Sequence, residues 1–216
     1  MPITIIFVAV GDPVGAGIVT NLPRPGGNVT GFTNNSADLM TKRLELAHEL
    51  LPKLRSVGFL FNSRLPNEQA DYKSPQSVAA KFAIKVIEAH ANDESEISAT
   101  FDGLIREKVG AVIVAGGTNT THRRTIAEQA LKRRLPTVFG FSSAIDVGGL
   151  ISYASDLLEQ YRNAAAYVDK IIKGARPGDL PVQQPTKFDV VINLKTAKAL
   201  GIKIPNTIFL QATKVI

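Results

Sequence analysis

The side chains able to do chemistry in this sequence are few, and they gather behind short apolar runs. Successive runs end in Gly11-Asp12-Pro13, Asn62-Ser63, Gly116-Gly117-Thr118-Asn119 and Ser142-Ser143, and a further short one ends in Ser152-Tyr153. Hydroxyls, amides and a single carboxylate of this kind orient a small polar ligand without making or breaking its bonds. The same residue types close turns and cap helices, so no single position decides the matter. Their recurrence at run after run is what marks a site.

Catalytic sets are thin by comparison. His48, His90 and His122 lie far apart and lack the spacing of metal ligands. His122 follows a run end but has no orienting carboxylate near it in sequence, as a general base would need. No Cys is present, which removes thiolate nucleophiles, thiolate metal sites and disulfides. Neither a G-x-S-x-G elbow nor a G-x-x-x-x-G-K-[ST] phosphate loop occurs. Gly15-Ala16-Gly17-Ile18-Val19-Thr20 gives a partial dinucleotide fingerprint, without its third glycine and without an acidic partner ending a second strand. No catalytic residue, cofactor or metal is therefore expected. Arg123 and Arg124 fall in the first turn of an expected helix, where cations oppose the dipole, so one of them is a candidate partner for an anionic ligand group.

The elements that must position these groups alternate along the chain. Strands are expected at Ile3–Val10, Val57–Phe61, Ala111–Ala115, Thr137–Phe141, Leu150–Tyr153 and Phe188–Ile192, with a weaker one at Ile84–Ala89. Most are continuous apolar runs without in-out alternation, as in parallel strands covered on both faces. Helices are expected at Leu39–Leu51, from Ser74-Pro75 onward, along the stripe Ile97, Phe101, Leu104, Ile105, Val109, at His122–Arg134, and at Leu157–Lys173 before Gly174. This order implies an α/β fold with parallel sheets and right-handed crossovers. The turn-dense stretch Leu22–Asn28 and the Pro-rich stretch Gly174–Pro185 break the rhythm and are expected to connect lobes.

A chain of 216 residues accommodates one large domain or two small lobes. The net charge of +6 invites a nucleic-acid reading, but only 6% of residues are aromatic and none interleaves with basic residues as a stacking platform. No apolar run approaches the roughly 20 residues that span a bilayer. The opening Met1-Pro2-Ile3-Thr4-Ile5-Ile6-Phe7-Val8 has no basic region or cleavage site of a secretory signal and reads as a buried strand, so the chain is expected to begin inside a fold.

Gly11-Asp12-Pro13-Val14, with Leu22-Pro23-Arg24-Pro25-Gly26-Gly27-Asn28-Val29-Thr30-Gly31-Phe32, resembles the substrate-binding proteins of a bacterial ABC-transporter family, the group of tryptophan/tyrosine-type uptake receptors. So do Gly148-Gly149-Leu150-Ile151-Ser152-Tyr153, Tyr167–Ala175, Pro185-Thr186-Lys187-Phe188 and Val191–Gly201. The resemblance implies a type I periplasmic-binding fold of two Rossmann-like lobes. Lobe 1 would be incomplete, formed by residues 1–34 and 150–177; lobe 2 would be 55–148, and 178–216 a crossover and C-terminal segment. Hinges would fall near Gly31–Asn34, Gly149–Asp156 and Gly178–Lys187.

It further implies a non-enzymatic solute receptor that works with ABC permease subunits in the membrane, periplasmic or lipid-anchored outside the cytoplasm. Its ligand would be a small molecule such as an amino acid or aromatic acid, with no nucleic-acid partner. The family's cleft lining maps onto Asp12, Thr33, Asn62, Thr118, Asn119, Ser142 and Tyr153, with Asp12 the expected ammonium partner and an Asx turn before Pro13 its alternative role. The rival readings are the effector-binding domain of a transcription regulator, which shares this architecture, and a nucleotide-dependent enzyme.

Overall fold

The computed structural model describes residues 3–216, apart from the side chains of Ala37, Ala70, Thr118, Asn119 and Thr120. Its elements run β1 (Ile5–Val10), β2 (Val29–Thr33), α1 (Ser36–Leu50), β3 (Ser56–Phe61), α2 (Pro66–Lys73), α3 (Gln76–Lys81), β4 (Lys85–His90), α4 (Glu94–Arg106), β5 (Ala111–Val114), α5 (Gly116–Lys132), β6 (Thr137–Phe139), β7 (Ile151–Ser155), α6 (Leu157–Ile172), β8 (Phe188–Ile192), α7 (Leu194–Leu200), α8 (Asn206–Gln211) and β9 (Lys214–Val215). A 3₁₀ turn at Ser142–Val147 precedes β7, and another lies at Pro177–Asp179. The expected α/β fold with parallel strands is present.

The chain divides into two compact units, Met1–Ala37 with Ser155–Phe188, and Asp38–Ala154 with Asp189–Ile216. It passes between them three times, after Ala37, Ala154 and Phe188. These breaks differ from those expected at 34/55, 148/150 and 177. Helix α1 and the last residues of β7 run straight through the chain's transitions, and no composition shift marks a break inside a continuous element. The segment expected to be a separate C-terminal piece is split, its part from Asp189 onward belonging to the larger unit.

In the larger unit the strand order is β4-β3-β5-β6-β7-β8-β9. Pairings of β3 with β4 and β5, β5 with β6, β6 with β7, and β8 with β9 are parallel. Each face of this sheet is covered, which explains the unbroken apolar runs. Phe59, Phe61, Ala111 and Ile113 pack with Met40, Leu44 and Ala47 of α1 on one face. Leu60, Val112, Val114 and Phe139 pack with Ile97, Phe101 and Leu104 of α4 and with Ile126 and Ala130 of α5 on the other. Period two in the strands and period 3.6 in the helices thus sort one set of apolar residues into two cores. At the margin of the sheet, β4 carries Lys85, Glu88 and His90 outward; Lys85 pairs with Glu107 at 3.9 Å and His90 with Glu88 at 3.1 Å.

In the smaller unit β1 and β2 pair in parallel, with a register irregularity between Val8 and Val10 where Ala9 takes φ 58°. Gly31 must be glycine, because a Cβ there would lie 2.2 Å from the Phe7 carbonyl oxygen. The stretches at 22–28 and 174–185 are not connections between units, as expected from their turn chemistry. They pack on each other inside the smaller unit: Val182 N–H donates to Leu22 O at 2.7 Å, and Gly178 abuts the Gly26-Gly27 backbone. Thr30 Oγ1 donates to Leu180 O at 2.7 Å, and the Tyr167 hydroxyl to Pro181 O at 2.6 Å. Pro and Gly there serve a close backbone approach.

Two further expectations are corrected. Ser74 does not open a helix: it closes α2, and Pro75 caps the start of α3. Pro66 takes the early-helix position instead. Helix α5 has an additional first part from Gly116, and non-helical His122 (φ −118°, ψ 19°) divides it from the helix expected from His122 onward.

Candidate functional site

Because β3, β5, β6 and β7 lie side by side and parallel, their carboxyl ends form one row, the place where open α/β sheets gather ligands. Asn62 follows β3, Gly116-Gly117 follow β5, Gly140 and Ser142 follow β6, and Tyr153 lies within β7. All belong to the larger unit. A chain of contacts joins them. Asn62 N–H donates to Glu68 Oε2 at 2.7 Å. A Cβ on Gly117 would stand 2.7 Å from Glu68 Oε1. Gly140 approaches Gly116 so closely that a Cβ on it would lie 3.3 Å from the Gly116 Cα and from Arg43 Nη2. Arg43 in turn donates through Nη2 to Gly140 O at 3.2 Å and through Nε to Tyr153 O at 2.9 Å.

Three buried charges therefore support the row from below. Glu68 is fully buried, Arg43 is 3% exposed and Asp71 is 4% exposed. Burial pushes the Arg43 guanidinium down to about 10, well below its usual value, opposed by the nearby charges of Asp71 and Tyr153. At neutral pH it stays a cation, made tolerable by carbonyl oxygens and Asp71. Glu68 holds the β3 end against the first residues of α5. Arg43 pins the ends of β6 and β7 together. These are the residues that sequence reasoning missed.

The side chains predicted for the site divide by unit. In the larger unit, Asn62 is half-buried and committed at both ends, Nδ2 to Asn92 O at 3.2 Å and Oδ1 from Arg64 N–H at 2.9 Å. Ser63 is held by Asn92 Oδ1. Ser142 is exposed and opens the 3₁₀ turn. Thr118 and Asn119 are in the first turns of α5, and their side chains lie outside the described residues. In the smaller unit, Thr33 is buried, donating to Gly11 O at 2.9 Å and accepting from Asn35 N–H at 3.0 Å. Asp12 is exposed, and its Oδ1 accepts from Gly15 N–H at 2.8 Å, a local turn bond three residues on.

The remaining motifs resolve plainly. No helix follows Gly15-Ala16-Gly17, so there is no helix start to receive a pyrophosphate. Arg123 and Arg124 directly follow the non-helical His122 and so stand in the first turn of the second part of α5, the position expected of them. His48 stacks on Phe82 at 4.4 Å, and His90 meets the Phe61 ring edge-on at 4.6 Å. Among the described residues no group of three or more His, Asp or Glu could hold a metal ion.

Tyr153 makes the row sensitive to alkali. Burial raises its hydroxyl above the usual 10.0, with Lys42 and Arg43 pulling the other way. The unfolded chain then loses this proton first, so the group's contribution to stability is whole below about pH 10 and drains away as pH rises through the raised folded value. Melting temperature is expected to fall more steeply between about pH 9 and 11 in the wild type than in Tyr153→Phe. Equal slopes would contradict this.

The model of the family described as ABC transporter substrate binding protein matches residues 1–216. The chain belongs to that family. Among solved structures, a conserved domain protein from Vibrio cholerae O1 biovar El Tor is 31% identical with a TM-score of 0.91, covering 99% of this chain and 71% of that one. An ABC domain from Streptococcus pneumoniae, solved in complex with L-Trp, is 29% identical with a TM-score of 0.87, covering 99% and 73%. A curated relative, the tyrosine-binding protein of Clostridioides difficile (strain R20291), is 26% identical over 201 residues, 93% of this chain; the chain spans 58% of that relative's length. Regulators of the LacI type share the fold at 13% identity, a likeness of architecture alone. The type I periplasmic-binding fold expected from the resemblance is thereby established for this substrate-binding family member.

Proposed function

We propose that this chain is the binding part of a solute receptor for an ABC importer, that its ligand is an aromatic amino acid, and that it acts outside the cytoplasm, handing its ligand to permease subunits. The observation that carries the reading is the solved relative holding L-Trp, which aligns with 99% of this chain at a TM-score of 0.87. The site agrees with it. A row of backbone ends and small polar groups, made rigid by buried charges beneath, suits holding a ligand unchanged. The family matched over residues 1–216 is one of substrate-binding proteins, which supports binding without catalysis.

Thermal unfolding in the presence of single amino acids tests it. At a ligand concentration 100 times Kd, linkage stabilises the folded chain by about 2.7 kcal/mol. For a chain of this size that is a rise of roughly 5–10 °C. L-Trp or L-Tyr is expected to give the largest rise. A flat response to all twenty amino acids would refute the proposal.

A further inference from the structure

The smaller unit contains a cavity of about 80 Å³ between the start of α6 and the segment 183–186. Phe32, Asp156, Glu159, Gln160, Gln183 and Thr186 are among its lining residues. Gln160 is 4% exposed, and its Nε2 donates to Ser155 Oγ at 3.1 Å. Its Oε1 is buried and has no hydrogen-bond partner among the described residues. A buried acceptor left this way is costly unless a donor comes to it.

The charges say which donor. Asp156 and Glu159 bring two carboxylates to the wall; Lys187 pairs with Glu159 at 3.0 Å and also feels the charge of Asp156, with Arg162 near it. Among the described residues Asp156 forms no ion pair of its own. The start of α6 does not call for an anion, since Asp156 already serves it: Oδ1 accepts from Glu159 N–H at 3.0 Å, and the Asp156 carbonyl accepts from Gln160 N–H at 3.2 Å. The cavity is small, and an ammonium with its first carbon fits it.

We propose that this cavity is a subsite for a primary ammonium group, taken by Gln160 Oε1 and the Asp156 carboxylate, and that Asp156 rather than Asp12 receives the ammonium of the ligand. The inference rests on the receptor reading for the source of that ammonium, the α-amino group of an amino acid; a free alkylammonium ion offers the same chemistry.

Calorimetric titration compares L-tryptophan with indole-3-propionate, which lacks only the amino group, on wild type, Asp156→Asn and Gln160→Met. Asparagine keeps the oxygen that caps α6, and methionine keeps the volume of Gln160, so ligand-free melting temperatures check that both variants fold. The wild type is expected to prefer tryptophan by about 10- to 100-fold, the worth of a charge-assisted hydrogen bond. In each variant that preference is expected to shrink to within about threefold. A preference that persists in both variants, or its absence from the wild type, overturns the subsite while the receptor reading stands. If the wild type binds no amino acid, the receptor reading fails, and methylammonium chloride against sodium chloride decides the subsite by thermal shift. Stabilisation of the wild type but not of Asp156→Asn upholds it, and an equal response overturns it.

Discussion

Arg43→Met is expected to destabilise the protein by about 3–5 kcal/mol, the usual penalty for removing one member of a buried charged network. Methionine fills most of the space but donates nothing. The carbonyls of Gly140 and Tyr153 lose their partners, and Asp71 keeps a buried negative charge without the cation beside it. Urea unfolding measures the loss directly as a lowered midpoint at constant slope. Arg43→Lys keeps the charge, yet a single ammonium cannot reproduce the fork that spans two strand ends. Its loss should be intermediate. A change below about 1 kcal/mol in Arg43→Met would show that the two carbonyls are satisfied in some other way.

The second large effect is expected at Gly117. A Cβ there already meets Glu68 Oε1 at 2.7 Å and Leu65 Cδ1 at 3.1 Å. Valine adds two methyl groups to that contact, and Glu68 is fully buried, with no solvent to retreat into. Its carboxylate must let go of the Asn62 N–H, so the β3 end and the start of α5 move apart. Overpacking of this kind costs about 1–3 kcal/mol. Affinity for the amino-acid ligand should fall by at least about tenfold, since roughly 1.4 kcal/mol lost from positioning suffices. Gly117→Ala is expected to lie between. Unchanged melting and affinity in Gly117→Val would show that Glu68 does not set the row.

Much of this architecture could be read from residue order because burial on both faces of a parallel sheet leaves a local trace. Ala111–Val114, and Val190–Ile192 within β8, are apolar runs whatever surrounds them. Strand β2 left no such trace: Val29-Thr30-Gly31-Phe32-Thr33 is short and broken by a glycine required by the Phe7 carbonyl. Helices α7 and α8 span seven and six residues, too short for periodicity to show.

The row of strand ends was legible in kind but not in its support. Arg43 sits in Lys42-Arg43, which reads as an ordinary solvated pair; Lys42 indeed pairs with Glu45 at the surface while its neighbour turns inward. Glu68 and Asp71 lie in Pro66-Asn67-Glu68-Gln69-Ala70-Asp71, polar enough to pass for a loop. Local composition does not distinguish a buried charge from a hydrated one, because the difference lies in what folds around it: Arg43 meets carbonyls of Gly140 and Tyr153 from distant strands, and Glu68 takes the Asn62 N–H only where α2 turns back on the end of β3. Gln160 was hidden for the same reason, being one polar residue in an amphipathic helix until segment 183–186 folds over it.

The two margins of the large sheet differ in build yet discourage the same accident. At one, β4 presents the exposed side chains of Lys85, Glu88 and His90, with Lys85 paired to Glu107 and Glu88 beside His90; at the other, β9 offers only Lys214–Val215. A stray polypeptide seeking a template finds charge at one border and too little length at the other. Neutralising the β4 border, by replacing Lys85 and Glu88 with valine, is expected to raise light scattering on heating.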